Sequence, residues 1–185
     1  ACAMRSIEAI RLGIIEYRAA WELQQKLVRA RQTGATGNLL LLMEHPPVIT
    51  IGRRGGEDHL LVAEDKLTTL GISLEEVDRG GDITYHGPGQ LVGYPILDLR
   101  EWDKDIHLYL YRLEEVLIGV CQDLGVRAGR IKGFTGVWIG QDKVAAIGVR
   151  VAKWVTSHGF ALNVSCDLTP FSYIIPCGIR DKGVT

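Results

Sequence analysis

The sequence has 185 residues, 46% hydrophobic and 23% charged, with a formal net charge of −1 at pH 7, which describes one ordinary globular domain with enough chain for a real core. So balanced a charge leaves no electrostatic footprint for nucleic acid or an anionic membrane. No apolar run approaches the roughly 20 residues that cross a bilayer.

The N-terminal ACAMRSIEAI lacks a charged start followed by a long apolar core, so no signal peptide is expected, and Met4 reads as the natural start. Ile7 to Leu12 reads as a short strand. From Glu16 to Arg31 the period becomes helical, with Tyr17, Ala20, Trp21, Gln24, Leu27, Val28 and Arg31 on related faces; the glycines of TGATG end the helix. Asn38 to Met43 is apolar on both faces and is expected to be a central strand. Glu44-His45-Pro46-Pro47 stops it, and Val48 to Ile51 resumes extended structure. Gly52 to Gly56, with Arg53 and Arg54, is a basic loop that suits a solvated turn as well as a binding role.

Glu64 to Leu70 reads as a short helix and Leu74 to Asp78 as a strand. Leu91 to Leu99 is a further strand, in which Pro95 predicts an edge or a bulge. Asp105 to Leu124 is the strongest helix. Its apolar stripe runs through Ile106, Leu110, Leu113, Val116, Leu117, Val120, Cys121 and Leu124, with Asp103 or Asp105 as its cap. Gly136 to Val151, turning at Gly140-Gln141-Asp142, reads as a β-hairpin. Trp154 to Val164 is extended, with an interruption at His158-Gly159; Asp167 to Tyr173 is a loop or one helical turn. No repeat and no linker divide the chain. The pattern predicts an α+β fold, a mixed or antiparallel sheet with helices packed on one face.

The four cysteines, Cys2, Cys121, Cys166 and Cys177, form no CxxC and no zinc-finger spacing. No disulfide framework and no metal are expected, and a reducing cytoplasm fits. The Asn163-Val164-Ser165 sequon is then without use. No Walker motif, dinucleotide fingerprint or GxSxG elbow occurs.

The densest run of special residues is Arg79 to Tyr94, RGGDITYHGPGQLVGY. Gly80, Gly81, Gly87, Pro88 and Gly89 expose backbone amides and let a ligand come close, while Asp82 to His86 can remain extended. Cys177 lies between Pro176 and Gly178, which suggests a strand end that presents a thiol. A nucleophilic cysteine reacts as the thiolate and needs a base or cation beside it; His86, His158 and Lys143 are the candidates. Lys143 opens a strand of small apolar residues, and burial there disfavours an ammonium, which is one way a lysine becomes a base. On local sequence a surface lysine closing the hairpin is the commoner case, and each histidine suits a structural group as well as a base.

Taken in order, LLLLMEHPPVITIGRR, RGGDITYHGPGQLVGYPILDL, GVWIGQDKVAAIGVRV, SHGFALNV and IIPCGIRDKGVT resemble the lipoyl(octanoyl) transferase family over nearly the whole chain. The resemblance implies the fold of biotin and lipoate protein ligases, filling residues 1–185 as one domain. It implies octanoyl transfer from acyl carrier protein to a lysine of lipoyl domains, those of 2-oxoacid dehydrogenases and of the glycine cleavage H protein, with no cofactor, nucleic acid or membrane. It places the nucleophile on Cys177 and its activating lysine on Lys143. The acyl-binding segments fall on Arg79, Gly80, Gly81, Asp82, Ile83, Thr84, Tyr85 and His86, on Ala146, Ile147 and Gly148, and on Gly159, Phe160 and Ala161. His86 then becomes a substrate contact and not the base.

The slot for the acyl tail is expected to be apolar, walled by the small residues Ala145, Ala146, Gly148, Gly159 and Ala161, with oxyanion donors from amides near Cys177 or in the glycine-rich stretch. Relatives usually continue past GVT with another helix, so part of the domain is expected beyond Thr185. Arg53, Arg54 and Arg150 are the cations that could meet an acidic carrier. Two other readings are an ATP-dependent lipoate or biotin ligase of the same fold, and a module that binds carrier or lipoyl domains without catalysis.

Overall fold

The computed structural model describes residues 5–185, the side chain of Glu57 aside; Cys2 and Met4 lie outside the described residues. In chain order the elements are β1 (Ile7–Ile14), α1 (Tyr17–Gln32), β2 (Asn38–Glu44), β3 (Val48–Ile51), α2 (Glu64–Thr69), β4 (Ser73–Glu76) and β5 (Ile83–His86). They continue as β6 (Gln90–Ile96), α3 (Ile106–Asp123), β7 (Gly129–Ile131), β8 (Phe134–Ile139), β9 (Asp142–Ala152), β10 (Val155–Asn163) and β11 (Gly183–Val184). The mixed large sheet runs β1-β2-β6-β10-β9-β8-β7, with β11 beside β9; β4-β3-β5 form a second, smaller sheet. The expected α+β class and mixed sheet stand, but as two sheets.

Helices pack on both faces of the large sheet and not on one. Side chains alternate along a strand, so β6 and β10 feed two cores. Val92, Tyr94 and Ala161 pack with Ala20 under α1, whereas Leu91, Phe160 and Leu162 pack with Leu117 and Cys121 under α3. Asp105 caps α3 by accepting the Leu108 amide at 3.0 Å, and Asp103 pairs with Arg112 instead. Only part of the predicted α3 stripe is buried. Leu113, Leu117 and Cys121 are inside, with Tyr109, while Val116 and Leu124 are exposed. A stripe that wide exceeds what one sheet face covers.

Pro95 marks neither an edge nor a bulge. β6 lies between β2 and β10, and its pairing to β2 runs unbroken through Leu40↔Pro95. The ladder to β10 lapses after Phe160↔Gly93 and resumes in the same register at Asp98↔Val155, with the Thr156 amide donating to the Leu97 carbonyl at 2.9 Å, so the missing Pro95 N–H coincides with a gap opposite His158. β10 keeps its pairing to β9 through His158↔Val149 and Gly159↔Gly148, but His158 is left-handed at φ 55° and its amide donates to Gln24 Oε1 at 2.6 Å, so the expected interruption lies on the β6 side of the strand. Among the described residues no helix is long and apolar enough to cross a membrane.

Candidate active site

Cys177 does not end a strand. It sits in a tight 3₁₀ turn, Pro176–Gly178, with φ 56° and ψ 18°. This left-handed conformation is costly for a residue with a Cβ and is kept where surrounding structure imposes it. The turn is held from behind, where the Ile175 amide donates to the His59 carbonyl at 2.9 Å. Gly178 and Ile179 donate to the Ile175 and Pro176 carbonyls at 2.9 and 3.0 Å, so these two amides are committed to the turn.

Lys143 reaches this turn because β9 carries a bulge. Val137 faces Ala145 but Trp138 faces Lys143, two residues of β9 against one step of β8. Val144 and Ala145 both pack into the core beneath α3, and the extra residue returns Lys143 to the opposite face. β11 pairs alongside at Val184↔Lys143. Lys143 is only 7% exposed, and its Nζ lies 4.9 Å from the Trp138 ring centroid. Nζ donates to Cys177 Sγ at 3.1 Å.

Both residues line a cavity of about 510 Å³ between the large sheet and β5. Of the sequence-predicted acyl-binding residues, Arg79 to Thr84, His86, Ala146 to Gly148 and Gly159 to Ala161 line it. Tyr85 does not. It alternates to the other side of β5 and meets Phe171, ring centroids 5.5 Å apart. Ala145, expected in the slot wall, also faces away.

The glycines are needed for close approach. A Cβ at Gly148 would stand 2.8 Å from the Gly80 carbonyl oxygen, and the Gly80 amide donates to the Val149 carbonyl at 2.9 Å. The basic loop after β3 clasps the same stretch. Gly52, Arg53 and Arg54 donate their amides to Asp82, Arg79 and Gly81 carbonyls at 3.0–3.1 Å. Arg79 is buried, and its Nη2 donates to Thr50 O and Oγ1, each at 2.9 Å. Its Nε has no partner among the described residues. Burial depresses the guanidinium below its ordinary value.

The cavity is more polar than a simple acyl slot requires. Tyr17, Tyr94 and His158 line it with His86, and sequence reading assigned neither tyrosine to the site. His45 Nδ1 donates to the Ile15 carbonyl at 2.6 Å, which leaves Nε2 to accept from Tyr94 at 2.7 Å. His86 Nδ1 donates to Gln90 Oε1 at 2.7 Å. His158 Nε2 donates to Asp78 at 2.8 Å, and Asp78 also accepts from Arg150 at 2.5 Å and Trp21 at 3.2 Å. Arg150 is therefore engaged, while Arg53 and Arg54 stay exposed.

Burial fixes the protonation of this group. It holds His86 down to about 3, lowers His45 and His158, pushes Tyr17 up to about 12 and raises Tyr94 further. The histidines are neutral and the phenols protonated at pH 7, so neither His86 nor His158 supplies a cation to Cys177. His59, in a short turn after the basic loop, was also missed. A histidine paired with a carboxylate 23 residues away leaves no local pattern.

The lipoyl protein ligase A/B catalytic domain model matches residues 16–185. The octanoyltransferase of Solibacter usitatus is 53% identical over 182 residues, covering 98% of this chain and 82% of that protein. Among solved structures, lipoate-protein ligase A bound with ATP superposes with a TM-score of 0.74 at 20% identity, covering 97% of this chain and 74% of the other. A bi-partite lipoate protein ligase from Thermoplasma acidophilum, solved in a study that includes its E2 lipoyl domain, gives 0.66 at 21% identity, with 95% and 70% covered. At these identities the structural likeness shows the fold, and it agrees with the two-sheet architecture described above. The family model and the relative at 53% identity together show that the chain belongs to the lipoyl protein ligase A/B catalytic domain family.

Proposed function

We propose that the chain is an octanoyltransferase that moves an octanoyl group from the thioester of acyl carrier protein to a lysine of a lipoyl domain, through a thioester on Cys177. Residues 1–185 belong to one transferase domain. The observation that carries the reading is the 3.1 Å contact between Lys143 Nζ and Cys177 Sγ at the wall of a cavity large enough for an acyl chain. A buried cation at hydrogen-bond distance favours the thiolate, the form that attacks. The name of the close relative supports the acyl group, and lipoate ligases of the same fold support lipoyl domains as acceptors; 2-oxoacid dehydrogenases and the glycine cleavage H protein carry such domains. Three unpaired cysteines, Cys121, Cys166 and Cys177, suit a reducing cytoplasm.

In this reading the thiolate attacks the donor carbonyl, the tetrahedral adduct collapses, and the carrier thiol leaves with the proton that Lys143 has held. The acceptor amine then attacks the acyl-enzyme to give an amide. With the Gly178, Ile179 and Gly80 amides committed, the oxyanion falls to the Cys177, Gly81 and Asp82 amides and to Lys143, an interaction worth about 3 kcal/mol. Each buried methylene of the tail adds about 0.8 kcal/mol, so chain length is read by where Tyr17, Tyr94 and His158 close the slot.

Intact mass after mixing with octanoyl carrier protein tests this. The protein gains one octanoyl group, and Cys177→Ala does not; an adduct that persists in Cys177→Ala contradicts the reading. Transfer proceeds without ATP, and a requirement for ATP would instead place the chain with the ligases.

A further inference from the structure

The two halves of the proposed reaction do not balance alike. Exchange from the carrier thiol to Cys177 breaks one thioester and makes another, and the Cys177 proton leaves on the carrier sulfur. Aminolysis starts from a lysine ammonium. Turning an ammonium and a thioester into an amide and a thiol releases one proton overall. Two protons leave the nitrogen, one before it can attack and one as the adduct collapses. One of them returns to the Cys177 sulfur, which Lys143 serves at 3.1 Å. The other must reach solvent, and Lys143 is buried.

A second titratable pair adjoins the Cys177 turn. His59 Nδ1 donates to the two carboxylate oxygens of Asp82, at 2.9 and 2.8 Å. Asp82 also accepts the Ile83 amide at 2.7 Å and lines the same cavity as Cys177. The pair abuts the nucleophile's neighbour, because a Cβ at Gly178 would stand 2.6 Å from Asp82 Oδ2 and 3.2 Å from His59 Cε1. The backbone joins them too, through the bond from the Ile175 amide to the His59 carbonyl. With Nδ1–H given to the carboxylate, Nε2 carries the free lone pair. Asp58 Oδ2 lies 3.9 Å from it, and the His59 side chain is 22% exposed. Unlike Lys143, this base opens to water.

We infer that the His59–Asp82 pair is the general base of the second half-reaction. The inference rests on the acyl-enzyme reading above. His59 Nε2 takes one proton from the acceptor ammonium and the amine attacks the thioester carbonyl. The second nitrogen proton passes through Lys143 to the Cys177 sulfur as the C–S bond breaks, and His59 gives its proton to solvent.

The test separates the half-reactions in His59→Gln and His59→Ala. Octanoyl-enzyme is formed from octanoyl carrier protein, then released either by a lipoyl domain or by hydroxylamine, which is unprotonated at pH 7 and needs no such base. Acyl-enzyme formation and hydroxylamine release stay within about twofold of the parent, while transfer to the lipoyl domain slows by about a hundredfold. Added imidazole restores transfer in His59→Ala. Unchanged transfer to the lipoyl domain overturns the assignment, and so does an equal fall in all three rates, which would make the pair a packing element. A parent protein that forms no acyl-enzyme overturns the underlying reading and the assignment with it, and its mass distinguishes that failure from the other two.

Discussion

Gly136 stands against the stem of Lys143. A Cβ there would lie 3.2 Å from Lys143 Cε and 2.8 Å from the Ala145 carbonyl oxygen. Its φ of 126° is left to glycine, and its amide donates to Glu114 of α3 at 3.0 Å. The bulge that turns Lys143 into the site thus depends on a neighbour without a side chain.

Gly136→Ala displaces the lysine without removing it. We expect acyl-enzyme formation to slow by about a hundredfold, as small misplacements of reacting groups do, and stability to fall by about 1–3 kcal/mol. Rapid-quench mass measurements and thermal melts report the two. Loss of stability with acylation at the parent rate would show that Lys143 tolerates the shift.

Lys143→Ala removes the cation beside Cys177. Alkylation of Cys177 by iodoacetamide at pH 7 is expected to slow by about tenfold, and Lys143→Arg to recover part of that rate because it restores a charge near the sulfur. Peptide mapping confines the readout to Cys177. Equal alkylation rates in parent and Lys143→Ala would remove Lys143 from thiolate stabilisation.

Gly148→Ala places a methyl group 2.8 Å from the Gly80 carbonyl oxygen and 3.3 Å from Arg79 Cδ. β9 and the Arg79–Asp82 stretch must separate, and the slot they share changes shape. Octanoyl transfer should fall at least about tenfold, at a stability cost of about 1–3 kcal/mol. Activity close to the parent's would mean that the acyl group lies elsewhere in the cavity.

Acid should unfold the protein through its buried histidines. His86, His45 and His158 have folded values below the ordinary 6.5, His86 at about 3, with burial the largest cause. The unfolded chain binds these protons first, so the stability they hold is full above pH 6.5 and drains as pH falls towards 3. The depressed Asp78 and Asp98, through their bonds to His158 and Arg100, lose theirs below their ordinary 3.8, in the same direction. Each such histidine steepens the dependence by up to about 1.4 kcal/mol per pH unit. Denaturant midpoints should decline steadily from pH 7 to pH 4, less steeply in His86→Asn; a flat profile over that interval would show the three histidines charged in the fold.

Much of the fold was legible in local pattern. The helical period of Tyr17 to Arg31, the double-sided Asn38 strand and the hairpin around Gly140 follow from spacing that neighbours in sequence impose. Pro95 and the α3 stripe misled because their meaning depends on what packs beside them. A proline is tolerated inside a sheet where the facing ladder lapses opposite it, and an apolar stripe is buried only as far as the sheet extends.

Sequence by itself determined which chemistry was available. Arg79 to His86, Lys143 and Cys177 stood out as residue types in unusual company, and their family resemblance ordered them. Tertiary structure decided what meets. The β9 bulge, the left-handed Cys177 and the Gly136 gap bring Lys143 Nζ to the sulfur across 34 residues of chain, and the same folding sets His59 on Asp82 and brings Tyr17, Tyr94 and His158 to the same cavity. These contacts rest on register between strands distant in sequence and on burial that neutralises the histidines. A local pattern encodes the period of an element, whereas the partner across a sheet is chosen by the packing of the whole core.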